Sequence, residues 1–439
     1  MKNKKTVVAP LRNKLNRKIA PNLHFLRQQE FPAFGTLLLD NGIPLYCIEG
    51  GEQAVFTLEL VFSAGRWHEP APQVAYYTAR CLCDGTTAFS AAQLSDALDN
   101  VGAEIKTNAS GDFSSIRLSG LSEFFPEAIQ LLHHILSEAN FPQHQLQLHL
   151  GEDLQELAIN LTTGNYLAYR QLQSHMLGEN HPYAASPTAE SLQKIQPEIL
   201  QAFFNTYYTP QNCKIYLAGK LPAGSFFHLN EILGKDFGKK SVLLPTPQVP
   251  IIPKYSPAFF EIPLKKNQQV ALRFGVPVPL QNQPDFLKIY VFNTLLGGYF
   301  GARLMTKLRT EKGYTYGIYS QIKTYKHAAY CYISCETNKR VAKAAVYEIF
   351  NEIERLSREA VTDDELQMVK NYLIGNTLNW IDGPFNSLMC LKDLHAFGLD
   401  VEYFTNFAQN ILQITPVDLQ QTAATYFTKE KFTQVLAGV

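Results

Sequence analysis

Residues 195–219 read IQPEILQAFFNTYYTPQNCKIYLAG and residues 414–438 read ITPVDLQQTAATYFTKEKFTQVLAG, so the second stretch repeats the first at a constant displacement of 219 positions. Ile195, Pro197, Leu200, Gln201, Tyr207, Thr209, Leu217, Ala218 and Gly219 return as Ile414, Pro416, Leu419, Gln420, Tyr426, Thr428, Leu436, Ala437 and Gly438. An earlier echo keeps a displacement of 217: Ile105, Lys106, Thr107 and Ile116 return as Ile322, Lys323, Thr324 and Ile333. Register held over so much chain marks one structural unit built twice. Function is then to be sought in how the two copies have diverged.

Outward from the repeat, local patterns predict each unit. Apolar runs flank Asp40-Asn41-Gly42, a strong hairpin signal. Strands are expected at Leu58–Phe62 and over 104–118, with helices over 73–82, 91–100 and from Phe124 to Ile135. One long helical region is expected over 143–177, then a strand at 213–218. The second unit repeats the order from a strand near Val270–Phe274, and Thr362-x-x-Glu365 reads as a capping box opening its own long helix. The expected fold class is α+β: two similar repeated domains, each an antiparallel-rich sheet with helices on one face. The boundaries read as a flexible basic arm at 1–22, an N-terminal domain at 23–235, a Pro-rich linker at 236–257 and a C-terminal domain at 258–439. Five prolines, from Pro245 to Pro257, make that linker stiff and extended.

Composition narrows the function. The 439 residues are 46% hydrophobic and 18% charged, and 39 basic side chains equal 39 acidic ones, so no global field draws in nucleic acid or an anionic membrane. No apolar run is long enough to span a bilayer. The seven cysteines form no C-x-x-C pair and fit free thiols, Cys81 and Cys83 reading as buried structural residues; with no secretion signal, the expected location is cytoplasmic.

Residues 292–318, FNTLLGGYFGARLMTKLRTEKGYTYGI, resemble the second-domain signature of the pitrilysin/insulinase-type metallopeptidases, the inverted zincins. Ala64-Gly65-Arg66-x-x-Glu69, Asp84-Gly85-Thr86 and His181-Pro182-Tyr183 match further family positions, in order across nearly the whole chain. The resemblance implies peptide hydrolysis by zinc held on an H-x-x-E-H helix of the first domain plus a downstream glutamate. Here those positions fall on Tyr76, Ala79 and Arg80, with Glu156 in the third-ligand place. Tyr76 and Ala79 supply neither imidazole nor base, and the fixed positive charge of Arg80 repels a cation. No metal is therefore expected in this chain, and Arg80 and Glu156 are expected to pair across the degenerate zinc site.

In the second half, Arg309 and Tyr316 match the arginine and tyrosine that, in the family, hold the substrate carbonyl; a guanidinium and a phenol suit an oxygen that gains negative charge. The resemblance thus implies the Arg/Tyr subunit of a heterodimeric peptidase. It would enclose a chamber with a homologous partner that carries the zinc, and its substrates would be peptides. The alternative is a non-catalytic structural or peptide-binding module of the same descent. Gly297, Gly298 and Gly301 read either as a substrate-contacting loop or as a turn needing positive φ. His181 reads as a packed turn residue. Tyr330-Cys331-Tyr332 reads as a half-buried strand that could also offer an edge to a peptide.

Overall fold

The computed structural model describes residues 30–235, 254–265 and 268–439. The basic arm at 1–22 and most of the linker at 236–257 lie outside the described residues.

The first half builds strands β1 (Gly35–Leu38), β2 (Pro44–Glu49), β3 (Val55–Phe62), β4 (Ala103–Ala109), β5 (Ser114–Leu121) and β6 (Cys213–Gly219). Its helices are α1 (Val74–Arg80), α2 (Ala91–Asn100), α3 (Phe125–Glu138), α4 (Gln143–Asn160), α5 (Gly164–Leu177), α6 (Ala189–Gln193), α7 (Pro197–Tyr207) and α8 (Ser225–Leu229). The second half builds β7 (Phe259–Ile262), β8 (Gln269–Pro277), β9 (Ile318–Thr324), β10 (Ala329–Asn338) and β11 (Thr433–Ala437). Its helices are α9 (Phe286–Asn293), α10 (Ala342–Arg358), α11 (Asp363–Trp380), α12 (Gly383–Ala396), α13 (Val401–Gln413) and α14 (Pro416–Tyr426).

The two sheets share one topology apart from β1, which has no counterpart among the described residues of the second sheet. The first runs β1-β2-β6-β3-β5-β4 and the second β7-β11-β8-β10-β9, antiparallel except for the pairs β2/β6 and β7/β11. The repeated sequence forms α7 with β6 in one half and α14 with β11 in the other, as two copies of one unit require. The hairpin expected at Asp40-Asn41-Gly42 joins β1 to β2, with Gly42 at φ +83°. Burial follows from sidedness: in β3 the alternate residues Phe56, Leu58, Leu60 and Phe62 face a core shared with α1, α2, α3 and α7. Val270, Leu272, Phe274 and Val276 of β8 do the same toward α9, α10 and α14.

Two expectations are corrected here. The single long helix over 143–177 is two, because Thr162 and Thr163 turn their hydroxyls back onto the carbonyls of Ile159 and Asn160 and end α4. Helices also do not stay on one face of each sheet. Helix α5 of the first half crosses to cover the open face of the second sheet, where Ala168, Leu172 and Met176 pack with Ala271, Tyr330 and Val435. Helix α12 returns the contact, its Leu388 and Leu391 packing on Ile48, Tyr216 and Ala218 of the first sheet. The close approach of α5 needs Gly275, where a Cβ would stand 2.8 Å from Leu172 Cδ1. With both faces covered, β8 is buried nearly throughout rather than alternating.

Candidate functional site

Helix α1 carries Tyr76, Ala79 and Arg80, and the neighbouring α4 carries Glu152, Asp153 and Glu156. The guanidinium of Arg80 donates to Asp153 Oδ1 at 2.6 Å, to Glu152 Oε2 at 2.8 Å and to the Tyr76 hydroxyl at 3.1 Å. Tyr77 closes the group by donating to Asp153 Oδ2 at 2.6 Å. Burial works against the charge on Arg80, but the bond to Asp153 and the Tyr76 phenol outweigh it and hold the guanidinium more firmly cationic than usual. Burial and then Asp153 likewise hold Tyr77 protonated.

The pairing of Arg80 with Glu156 expected from sequence is not formed. Arg80 spends its donors on the turn of α4 that precedes Glu156, and Glu156 is exposed, accepting a long bond from Asn160 at 3.4 Å. Zinc of the inverted-zincin type needs two imidazoles and a carboxylate. Here a phenol, a buried methyl and a guanidinium bound to two carboxylates occupy that place, so the residues do not fit the metal.

Sequence reading missed a second cluster behind this one. Cys81, Asp84 and His149 bring a thiol, a carboxylate and an imidazole within 4.8 Å of one another. His149 Nε2 lies 2.9 Å from Asp84 Oδ2, tying α4 to the end of α1. Burial, then Asp84, raises the Cys81 thiol pKa, so it stays protonated. Cys83 does not take part. No spacing rule links positions so far apart, and no sequence signal pointed to them.

Between the halves lies a cleft of about 680 Å³ lined by Tyr76, Asp153 and Glu156 from the first and Lys323, Tyr325 and Asp393 from the second. A more apolar cleft of about 550 Å³ shares Thr324, Asp393 and Phe397 with it and adds Trp380, Met389 and Phe404. Burial raises the carboxyl pKa of Asp393, which stands where the two clefts meet.

Arg309 and Tyr316 line neither cleft. Arg309 is exposed, its guanidinium 5.0 Å from the ring centroid of Phe300, itself 70% exposed. Tyr316 is 93% exposed. The fold does not gather the Arg/Tyr pair with Tyr76, Ala79, Arg80 and Glu156.

Gly297, Gly298 and Gly301 do not have positive φ. At Gly297 the requirement is close approach, since a Cβ there would stand 2.7 Å from the Ser320 amide nitrogen on β9. Tyr330, Cys331 and Tyr332 lie on β10, which pairs with β8 on one side and β9 on the other and so offers no edge. His181 is buried, packed against Trp67 and Tyr183, as a structural residue would be. The capping box at Thr362 is half made: its hydroxyl accepts from the Glu365 amide, while the Glu365 carboxylate goes to Arg303 at 2.7 and 2.8 Å. All seven cysteines are unpaired, and no helix of the described residues is long and apolar enough to cross a membrane.

Residues 194–373 match the family described as the peptidase M16 inactive domain. The chain is 26% identical over 312 residues to the non-peptidase homologue YmxG of Helicobacter pylori, covering 68% of each protein. It is 23% identical over 366 residues to mitochondrial-processing peptidase subunit beta of Mus musculus, covering 79% of this chain and 72% of that protein. A peptidase M16 inactive domain from Pseudomonas fluorescens, 23% identical, has the same fold: the TM-score is 0.82 over 92% of this chain and 97% of the other.

Proposed function

We propose that the chain, similar over residues 194–373 to the peptidase M16 inactive domain and 26% identical to a non-peptidase homologue, is the metal-free half of a two-chain peptidase. Arg309 and Tyr316 bind the peptide and steady the oxyanion, while a homologous partner brings the zinc and its base. The observation that carries this reading is the contrast between the two halves. The metal place is closed by the Arg80 clamp, whereas Arg309 and Tyr316 stand exposed with no carboxylate engaged. A donor pair kept free at the surface suits a charge that develops on a substrate held against another molecule. The mouse relative is by name a subunit of a processing peptidase, which supports assembly with a second chain. The clefts between the halves, which Arg309 and Tyr316 do not line, lie apart from the place this reading gives the scissile bond. Free thiols agree with a reducing, cytoplasmic setting.

A second reading has its own support, because the Helicobacter pylori relative is by name a non-peptidase homologue. On that reading the same clefts bind peptide without cleaving it. Reconstitution with a homologue that carries an intact H-x-x-E-H helix separates the two. Peptide cleavage is expected only from the mixture, and Arg309→Ala or Tyr316→Phe should lower kcat by about 100-fold or more while the two chains still co-elute. Cleavage unchanged in both variants rules out the role given to the pair. No cleavage from any mixture leaves peptide binding as the function.

A further inference from the structure

The repeat allows each buried charge to be compared with its counterpart. In β3, Glu59 sits opposite Arg117 of β5 and Tyr216 of β6; in β8, Arg273 sits opposite Ser334 of β10 and Val435 of β11. The two positions are therefore equivalent, and each residue is only 3% exposed. They are not equivalently satisfied. Glu59 is held by Arg117 at 2.8 and 3.0 Å and by Lys392 of the crossing helix α12 at 2.9 Å. Arg273 faces Ser334 in place of Arg117, and the position that Lys392 holds in α12 is occupied in α5, at the 219-residue displacement, by Gln173. Both are uncharged, and Gln173 is already bonded to the Tyr183 carbonyl and the Tyr325 hydroxyl.

Arg273 donates to the Leu272 carbonyl at 2.9 Å and to Asn165 Oδ1, while its Nε has no partner. Among the described residues it forms no ion pair. A guanidinium cannot shed its proton to escape burial, so this charge calls for a counter-ion. Beside it is a cavity of about 140 Å³ whose wall includes Asn165, Thr315, Tyr316, Tyr319 and Ser334. Its single carboxylate, Glu336, is exposed; its charge acts on the guanidinium, but it forms no hydrogen bond or ion pair with it among the described residues. Asn165 lies in the first turn of α5, whose N-cap Thr163 makes no side-chain cap bond, so the positive end of that helix adds to the field.

We infer that the cavity at Arg273 is an anion site that takes a carboxylate or phosphate group, its floor the buried guanidinium and its rim the exposed Tyr316. Two sources share this chemistry: a free small anion, or the C-terminal carboxylate of a peptide. The site needs no second subunit, so its failure leaves the two-chain reading standing, and the reverse.

The test uses the whole chain at constant ionic strength, with calorimetric titration of inorganic phosphate, acetate, trialanine and trialanine amide. Saturable binding of at least one carboxylate or phosphate probe is expected, with affinity falling at least tenfold in Arg273→Gln. Ser334→Glu places an acid directly opposite the guanidinium. It should abolish anion binding and raise the melting temperature, so the idea stays testable even if Arg273→Gln does not fold. Tight binding of trialanine but not of its amide identifies a peptide C-terminus as the source. Phosphate or acetate binding with trialanine no better than acetate identifies a free anion. The inference is overturned if no anionic probe binds, or if the probes bind Ser334→Glu as they bind the unaltered chain.

Discussion

At the scale of single residues, the decisive feature is a guanidinium at the position where the inverted-zincin resemblance would place an imidazole. Arg80 does not merely fail to bind a metal; it neutralises two carboxylates that face it, Asp153 and Glu152. Asp153 and Arg80 are 19% and 25% exposed at their side chains, so the bond is partly screened and worth less than a fully buried pair. Arg80→Ala should therefore destabilise the chain by about 1–2 kcal/mol, read from the urea midpoint. Removing the acid at the same time, as Arg80→Ala with Asp153→Asn, should recover part of the loss, because the stranded carboxylate carries most of the cost. That Tyr76, Ala79 and Arg80 stand at the motif positions is legible in the sequence because it rests on counting along one helix from Gly85-Thr86. Which acid Arg80 would take was not. Glu152, Asp153 and Glu156 lie on adjoining turns of α4, and only the reach of the side chain chooses between them. The Cys81, Asp84 and His149 cluster was hidden for a related reason, since nothing in spacing brings His149 back to the end of α1.

Among elements, the repeat predicts what each half builds but not where its helices go. Strand pairs, the Asp40-Asn41-Gly42 hairpin and the apolar faces of α3 and α10 follow from period and turn chemistry, which are local. The exchange of α5 and α12 between halves is a packing solution. An open sheet face rich in Ala271, Tyr330 and Val435 is buried by the nearest amphipathic helix of the other copy. Its trace in the sequence is the near-continuous apolar run of β8, Val270-Ala271-Leu272 and Phe274-Gly275-Val276, which suits cover on both faces. Leu172 is the residue on which this docking turns, being fully buried and seated over Gly275. Leu172→Ala should cost about 2–5 kcal/mol, as for other buried leucines that leave a cavity. The loss should register as earlier release of α5 from the second sheet, so hydrogen exchange is expected to quicken along β8 and β11 before it does in β3 and β5. Equal quickening in both sheets would mean that Leu172 acts only on global stability.

For the whole molecule, the two halves are held at seams that contain protonatable rings. Trp67 of the first half stacks on His327 of the second at 4.2 Å, and Tyr183 stacks on Tyr325 at 4.1 Å. Asp112 accepts from the Tyr183 hydroxyl and, at 3.0 Å, from the Lys326 amide. Across the other seam the Tyr216 hydroxyl lies 3.0 Å from His395 Nδ1. Burial lowers the pKa of His68, His181, His327 and His395 below the ordinary 6.5, and nearby positive charge adds to the effect: Lys326 at His68 and His327, and Lys214 at His395. Asp112 opposes it at His68 and His327 without reversing it. With folded pKa values below the unfolded one, stability is complete above pH 6.5 and drains away as the pH falls, because the unfolded chain takes protons that the folded chain refuses. Glu69 pulls the other way: burial pushes its carboxyl up to about 7, so the folded chain gains that proton first and is favoured as the pH drops from about 7 toward 4.5. The four rings therefore destabilise the folded chain as the pH falls from about 7.5 to 5.5, and the carboxyls that burial raises, Glu69 and Asp393, act with the opposite sign. His327→Phe keeps a ring for Trp67 to stack on and removes the proton, so its urea midpoint should fall less steeply over that range than that of the unaltered chain. Glu69→Gln should fall more steeply. If both variants follow the slope of the unaltered chain, the seams do not govern how acid separates the halves.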